Sequence, residues 1–176
     1  MKGIATDIID SCKKVDSKYS DHRYGKIQNL TLDSGYDDFV IESLSRLKNS
    51  GKYDDFKIGT ANEIFFDSKY SDIEIKNLLD KGAFYTKYGD IEIGNLGERA
   101  SEVRFDINYS DFIVRKVNSG IQFDIEADYS DIILPNGTEY TLNDRDGNSL
   151  HKKGHSSNAQ TIIRGVSRYG DVIIRD

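Results

Sequence analysis

Along most of the chain apolar residues fall on alternate positions in short runs, and the runs return at nearly constant intervals. Val103, Phe105 and Ile107 form one such run, and Ile121, Phe123, Ile125 and Ala127 form another. Alternation of period two marks a strand with one buried face. Between the runs stands a recurring polar corner, the tripeptide Tyr-x-Asp, at Tyr19, Tyr36, Tyr53, Tyr70, Tyr88, Tyr109, Tyr129 and Tyr169. The intervals are 17, 17, 17, 18, 21, 20 and 40 residues. The last is about two periods, so a rung between Pro135 and Gly165 has lost its signature and grown a loop.

Counting from each Tyr as zero, offset +3 reads Phe39, Phe56, Ile73, Ile91, Phe112, Ile132 and Val172. Offset +5 reads Ile41, Ile58, Ile75, Ile93, Val114, Leu134 and Ile174, and a third apolar anchor stands at +8 as Leu44, Ala61, Leu78, Leu96 and Val117. The position between the first two varies freely, with Lys57, Glu74 and Glu92 facing solvent. Parity upstream of the corner places Tyr on the inward face, so the chain is expected to turn at +1 and +2. Those positions hold Ser, Gly or Asp, then Asp: Asp38, Asp55, Asp72, Asp90, Asp111, Asp131 and Asp171.

A turn of this length cannot bury its own apolar face and must stack on the next at about 4.8 Å. The expected fold is therefore all-β, a single-domain parallel β-solenoid of eight to nine rungs spanning residues 1–176. Right-handed coiling follows from the usual hand of parallel crossovers. Residues 1–30 read as a degraded N-terminal rung or cap, and 135–168 as an irregular rung with a loop insertion. An antiparallel sandwich is the competing architecture, disfavoured because sandwich strands do not repeat one residue at one corner. Stacking turns the corner residues into two structural ladders. Tyr36, Tyr53, Tyr70, Tyr88, Tyr109, Tyr129 and Tyr169 form an aromatic column, and the seven Asp after them cap backbone N–H groups at the turn.

Composition narrows the function classes. The net charge is −6, with no basic stripe, which argues against nucleic acid as a partner. No run approaches eighteen apolar residues, so membrane insertion by a helix is not expected. Residues Met1 to Val15 carry Asp7, Asp10, Lys13 and Lys14 where a signal peptide needs apolar residues. The chain reads as cytoplasmic if full length, and as a protein of the envelope, periplasm or exterior if it is a mature fragment. Cys12 stands alone and makes no internal disulfide.

Candidate chemistry is sparse. Calcium at the Asp corner lacks the glycine-rich nonapeptide of calcium-binding β-rolls, and one Asp per rung supplies few ligands. His151 and His155 have metal-pair spacing in a segment without helical character, and Asp144 to Asn148 reads as a turn. His22 falls in the degraded rung. No phosphate loop, nucleophile elbow or dinucleotide fingerprint occurs, so no catalytic, metal or cofactor residues are expected. One outward position changes character: at +4 the later rungs carry Ile113, Ile133 and Ile173, a candidate partner face for self-association or docking.

The rungs Lys69-Tyr-Ser-Asp-Ile-Glu-Ile75, Lys87-Tyr-Gly-Asp-Ile-Glu-Ile-Gly-Asn-Leu96 and Arg168-Tyr-Gly-Asp-Val-Ile-Ile174 resemble the toast-rack family of bacterial envelope proteins, to which an adhesin role is ascribed. The resemblance runs from about Ser17 to the C-terminus. It implies a β-helix-like solenoid, an exported or surface location and no enzymatic activity. The expected function is a non-catalytic surface or cell-envelope interaction module whose partner is a protein or glycan. A carbohydrate-binding or polysaccharide-processing β-helix is the alternative. It calls for a groove with Arg or Lys and clustered carboxylates, with Phe65, Tyr85 and Tyr140 as candidate exposed aromatics.

Overall fold

The computed structural model describes residues 4–6 and 12–176, and shows a stack of parallel coils with no helix among them. Strands β1 (Ile4–Thr6) and β2 (Lys13–Lys18) begin the stack. Four long strands follow: β3 (Asp21–Gly35), β4 (Asp38–Lys52), β5 (Asp55–Lys69) and β6 (Asp72–Lys87). Each has two limbs, because ladder pairing skips a residue near the middle, as at Ser45 and Asn62. The limbs then separate into β7 (Ile91–Leu96), β8 (Glu102–Asn108), β9 (Phe112–Val114), β10 (Gly120–Asp128) and β11 (Ile132–Ile133). The hairpin strands β12 (Glu139–Asp146) and β13 (Ser149–His155) precede β14 (Ala159–Arg168) and β15 (Val172–Ile174).

The inward columns are those that periodicity marks. Phe39, Phe56, Ile73, Ile91, Phe112, Ile132 and Val172 at +3 are all buried, as are Ile41, Ile58, Ile75, Ile93, Val114 and Ile174 at +5. The second limb faces them with Leu30, Leu47, Ile64, Phe66, Phe84, Val103, Phe105, Phe123 and Ile163, and one continuous core fills the space between.

Three expectations change. The tyrosines face outward: Tyr53 is 40% exposed and Tyr19 71%, with the other six between. The cause is the backbone. All eight corner tyrosines have φ between 52° and 61°, in the left-handed region, which breaks strand parity at Tyr itself. Positions −1 and 0 therefore both point out, and +1 turns in, where Asp37, Asp54, Ser71 and Ser110 are buried.

The second change is the order of the rungs. On one limb β8 pairs with β14 and β14 with β10, and on the other β9 pairs with β15 and β15 with β11, all in parallel. The C-terminal rung is thus inserted between two rungs that precede it in sequence. Within residues 135–168 the insertion takes the form of an antiparallel hairpin of β12 and β13 that covers the free edge of β10, and β14 returns as a rung limb to the interior of the stack. The third change is in length. The coil makes about six turns against the eight to nine expected, since the end rungs are partial and the hairpin replaces another. The degraded start is also shorter, because β3 pairs with β4 from Asp21 onward; the remainder of the predicted cap, 1–3 and 7–11, lies outside the described residues.

Candidate interaction surface

A left-handed conformation costs a non-glycine residue about 1–2 kcal/mol, so eight such tyrosines need compensation. The corner supplies it in two ways. Seven of the eight Tyr N–H groups donate to the carbonyl of the −1 residue on the adjacent rung, as from Tyr36 to Lys52 (3.2 Å) and from Tyr109 to Arg168 (2.8 Å), and that of Tyr129 donates to Asn148 in the hairpin turn (2.9 Å). The rings also stack in one file, Tyr19, Tyr36, Tyr53, Tyr70, Tyr88, Tyr109, Tyr169, Tyr129, with centroids 4.6–5.1 Å apart and planes within 13°. Each contact contributes about 0.5–1.5 kcal/mol beyond burial. Because neighbouring faces cover one another, the ridge presents ring edges and hydroxyls and not flat platforms.

Behind the ridge, the +1 oxygens bind rung to rung. Ser20 N–H donates to Asp37 Oδ1 (2.7 Å), Asp37 N–H to Asp54 Oδ1 (3.0 Å), and Asp54 N–H to Ser71 Oγ (3.1 Å). Burial pushes the Asp54 carboxyl above its ordinary range, opposed by the Asp37 N–H and by Ser34 Oγ–H at 2.8 Å. Gly51 is glycine for this reason: a Cβ there would collide with the Asp54 carboxylate.

The +2 aspartates divide into two groups. In the later rungs each carboxylate accepts the N–H of its equivalent, from Asp90 to Asp72 (3.0 Å), Asp111 to Asp90 (2.8 Å), Asp171 to Asp111 (2.7 Å) and Asp131 to Asp171 (2.8 Å). In the early rungs the N–H groups of Asp38 and Asp55 donate instead to the carbonyls of Ser20 and Asp37. Asp111→Ala is therefore expected to cost about 1 kcal/mol and Asp38→Ala almost nothing in urea unfolding, with a chelator moving neither curve. Equal losses at the two positions, or a midpoint that falls with chelator and recovers with calcium, would overturn the capping role. Among the described residues, no three His, Cys, Asp or Glu side chains gather as a metal site.

Ile113, Ile173 and Ile133 stack in that order in adjacent rungs, the first two half-buried and Ile133 48% exposed. Below them the column turns charged at Glu92. Its carboxyl is held below the usual range chiefly by the hydrogen bonds of Arg115, whose Nη2 donates to Oε2 at 2.6 Å.

On the other flank of the ridge, position −1 forms the column Lys18, Gly35, Lys52, Lys69, Lys87, Asn108 and Arg168. Position −3 beside it reads Asp16, Asp33, Ser50, Asp67, Tyr85 and Asp106. Two grooves of about 480 and 290 Å³ run between these columns and meet at Asp67, Ser68 and Lys69. Phe65 and Tyr85, both exposed, come together at 5.7 Å beside them, whereas Tyr140 lies apart against Phe123. The lysines recur in the sequence at constant phase, and that signal was available there.

The segment without helical character around His151 is the strand β13, in which His151 Nε2 bonds Asp124 Oδ1 at 2.8 Å. At the opposite end, half-buried His22 holds the +3 position after Tyr19, stacked on Phe39 at 4.7 Å. Ser17 Oγ–H donates to Asp37 Oδ2 (2.6 Å), so Ser17 accepts from His22 Nε2 (3.0 Å), and Nδ1 accepts from the Tyr24 hydroxyl (3.2 Å). Burial holds the His22 pKa below its ordinary value, in keeping with a neutral ring. The serine proton points at a carboxylate and not at the imidazole, the reverse of an activated nucleophile. Cys12 is exposed. No helix among the described residues is long and apolar enough to cross a membrane.

No family model, curated protein or solved structure matches this chain.

Proposed function

We propose that this β-solenoid is a non-catalytic interaction module, adhesin-like and displayed at the cell envelope. The observation that carries the reading is the repetition of outward chemistry: a ridge of tyrosines stacked at one step per rung, flanked on one side by aspartates and on the other by a column in which Lys52, Lys69 and Lys87 are consecutive. The tyrosine stack and the capping aspartates also hold the corner, whereas the exposed lysines beside them make no ion pair among the described residues that the fold would require. An extended surface with a constant period suits an extended partner, as in other solenoids. The Ile113, Ile173 and Ile133 column adds an apolar step at the far end of the rod, fit for a second copy.

The test is binding of the labelled rod to a glycan array and to intact bacterial and host cell surfaces. Saturable binding that a surplus of unlabelled rod displaces is the expected result. Absence of binding on every surface would overturn the reading.

A further inference from the structure

We infer that the groove along the lysine flank of the tyrosine ridge binds an extended uronic-acid polysaccharide, one sugar per rung. The inference rests on the interaction-module reading and names the site and ligand class for it.

The first support is unspent charge at a fixed step. Lys52, Lys69 and Lys87 are exposed and directly adjacent in three consecutive rungs, with Lys18 beyond the Gly35 gap. Among the described residues none of the four takes part in an ion pair, whereas Arg168, farther along the column, is paired with Asp106 at 3.1 Å. Like charges one rung apart, at about 4.8 Å, repel one another, and a partner bearing one anion per rung removes that cost. A sugar residue in an extended chain has about the length of one rung.

The second support is the neighbouring column. Asp33, Asp67 and Asp106 border the same groove as acceptors. A more densely charged polyanion such as nucleic acid or polyphosphate would crowd its charges against these three carboxylates and be repelled more strongly than a chain with one charge per sugar. A polyuronate offers both halves of the pattern, one carboxylate per residue for the lysines and hydroxyl donors for the aspartates. The third support is aromatic: Tyr85 borders the second groove, outside the ladder and 43% exposed, where its ring can lie against the C–H groups of a sugar. The inner ladder rings cannot do this, since both their faces are occupied.

The experiment titrates the full chain with an oligogalacturonate long enough to span the Lys52 to Lys87 rungs, with its methyl ester, with polyphosphate and with single-stranded DNA. The acid form is expected to bind with an affinity that falls as salt rises, and the ester not to bind. The variant Lys52→Gln/Lys69→Gln/Lys87→Gln should keep the parent melting temperature and bind about tenfold more weakly, since exposed ion pairs each contribute modestly. No binding of the acid form, equal binding of the ester, tighter binding of polyphosphate or DNA, or indifference to the lysine changes would each overturn the inference. Should the rod bind other arrayed glycans or cell surfaces at the same time, the module reading survives and only the groove assignment falls; silence on every surface removes both.

Discussion

Deleting residues 156–176 is expected to unfold a segment far larger than the one removed. In a solenoid whose spatial order follows the sequence, losing the last rung exposes one edge and leaves the remainder standing, because each rung contacts only its neighbours. Here the deletion takes β14 from between β8 and β10, and β15 from between β9 and β11. Strands β10 to β13 then lose their parallel dock to the rest of the stack. Closing the vacant slot by moving β10 directly onto β8 is opposed by one contact. Phe105 leans over Gly165 in the inserted strand, so that a Cβ at 165 would overlap its ring. In a closed stack Ile125, the residue of the same phase, would stand there. Deuterium uptake across 120–155 should rise to that of an unfolded chain while 21–87 keep their protection. Retained protection across 120–155 would mean that the slot closes, and the inserted rung would be dispensable.

How much of this was legible from sequence depends on which rule each residue obeys. The +3 and +5 columns obey period two, and Phe39, Ile75 and Val114 are buried as read. The Ile113, Ile133 and Ile173 phase was legible as well, since constant phase in a stacked repeat means adjacency. Tyr was misplaced because parity assumes extended φ, and nothing in a tyrosine side chain announces a left-handed backbone, which Gly and Asn usually occupy. The clue lay in its neighbours. Small or acidic residues at +1, as at Asp37, Asp54, Ser71 and Ser110, suit a tight inner corner. The rung order was not legible at all. A 40-residue interval says that a rung is unaccounted for, but not that the next one slides back between its predecessors. That outcome involves packing between residues far apart in sequence, such as Phe105 against Gly165. The candidate groove lay unread for a different reason: its lysines occupy an outward phase whose relation to the tyrosines depends on the inverted corner.

The Phe105 and Gly165 pair supplies the second large effect. Phe105 is buried, its ring stacked on Phe112 from the opposite limb at 4.4 Å and filling the space that Gly165 leaves open. A glycine inside a strand costs up to about 1 kcal/mol relative to alanine, and here the neighbouring ring offsets that cost. Phe105→Ala should lose about 3–5 kcal/mol through lost burial and a cavity. Gly165→Leu should lose about 1–3 kcal/mol through overpacking. The two changes act on one volume, so they are not independent. In the double variant the leucine enters the space vacated by the ring, and the combined loss should fall short of the sum by about 1–3 kcal/mol, the range of direct coupling. Urea unfolding of the parent, both single variants and the double variant closes the cycle. Additivity within about 0.5 kcal/mol would show that Phe105 does not occupy the space at Gly165, and the steric reason for the order of the last rungs would be lost with it.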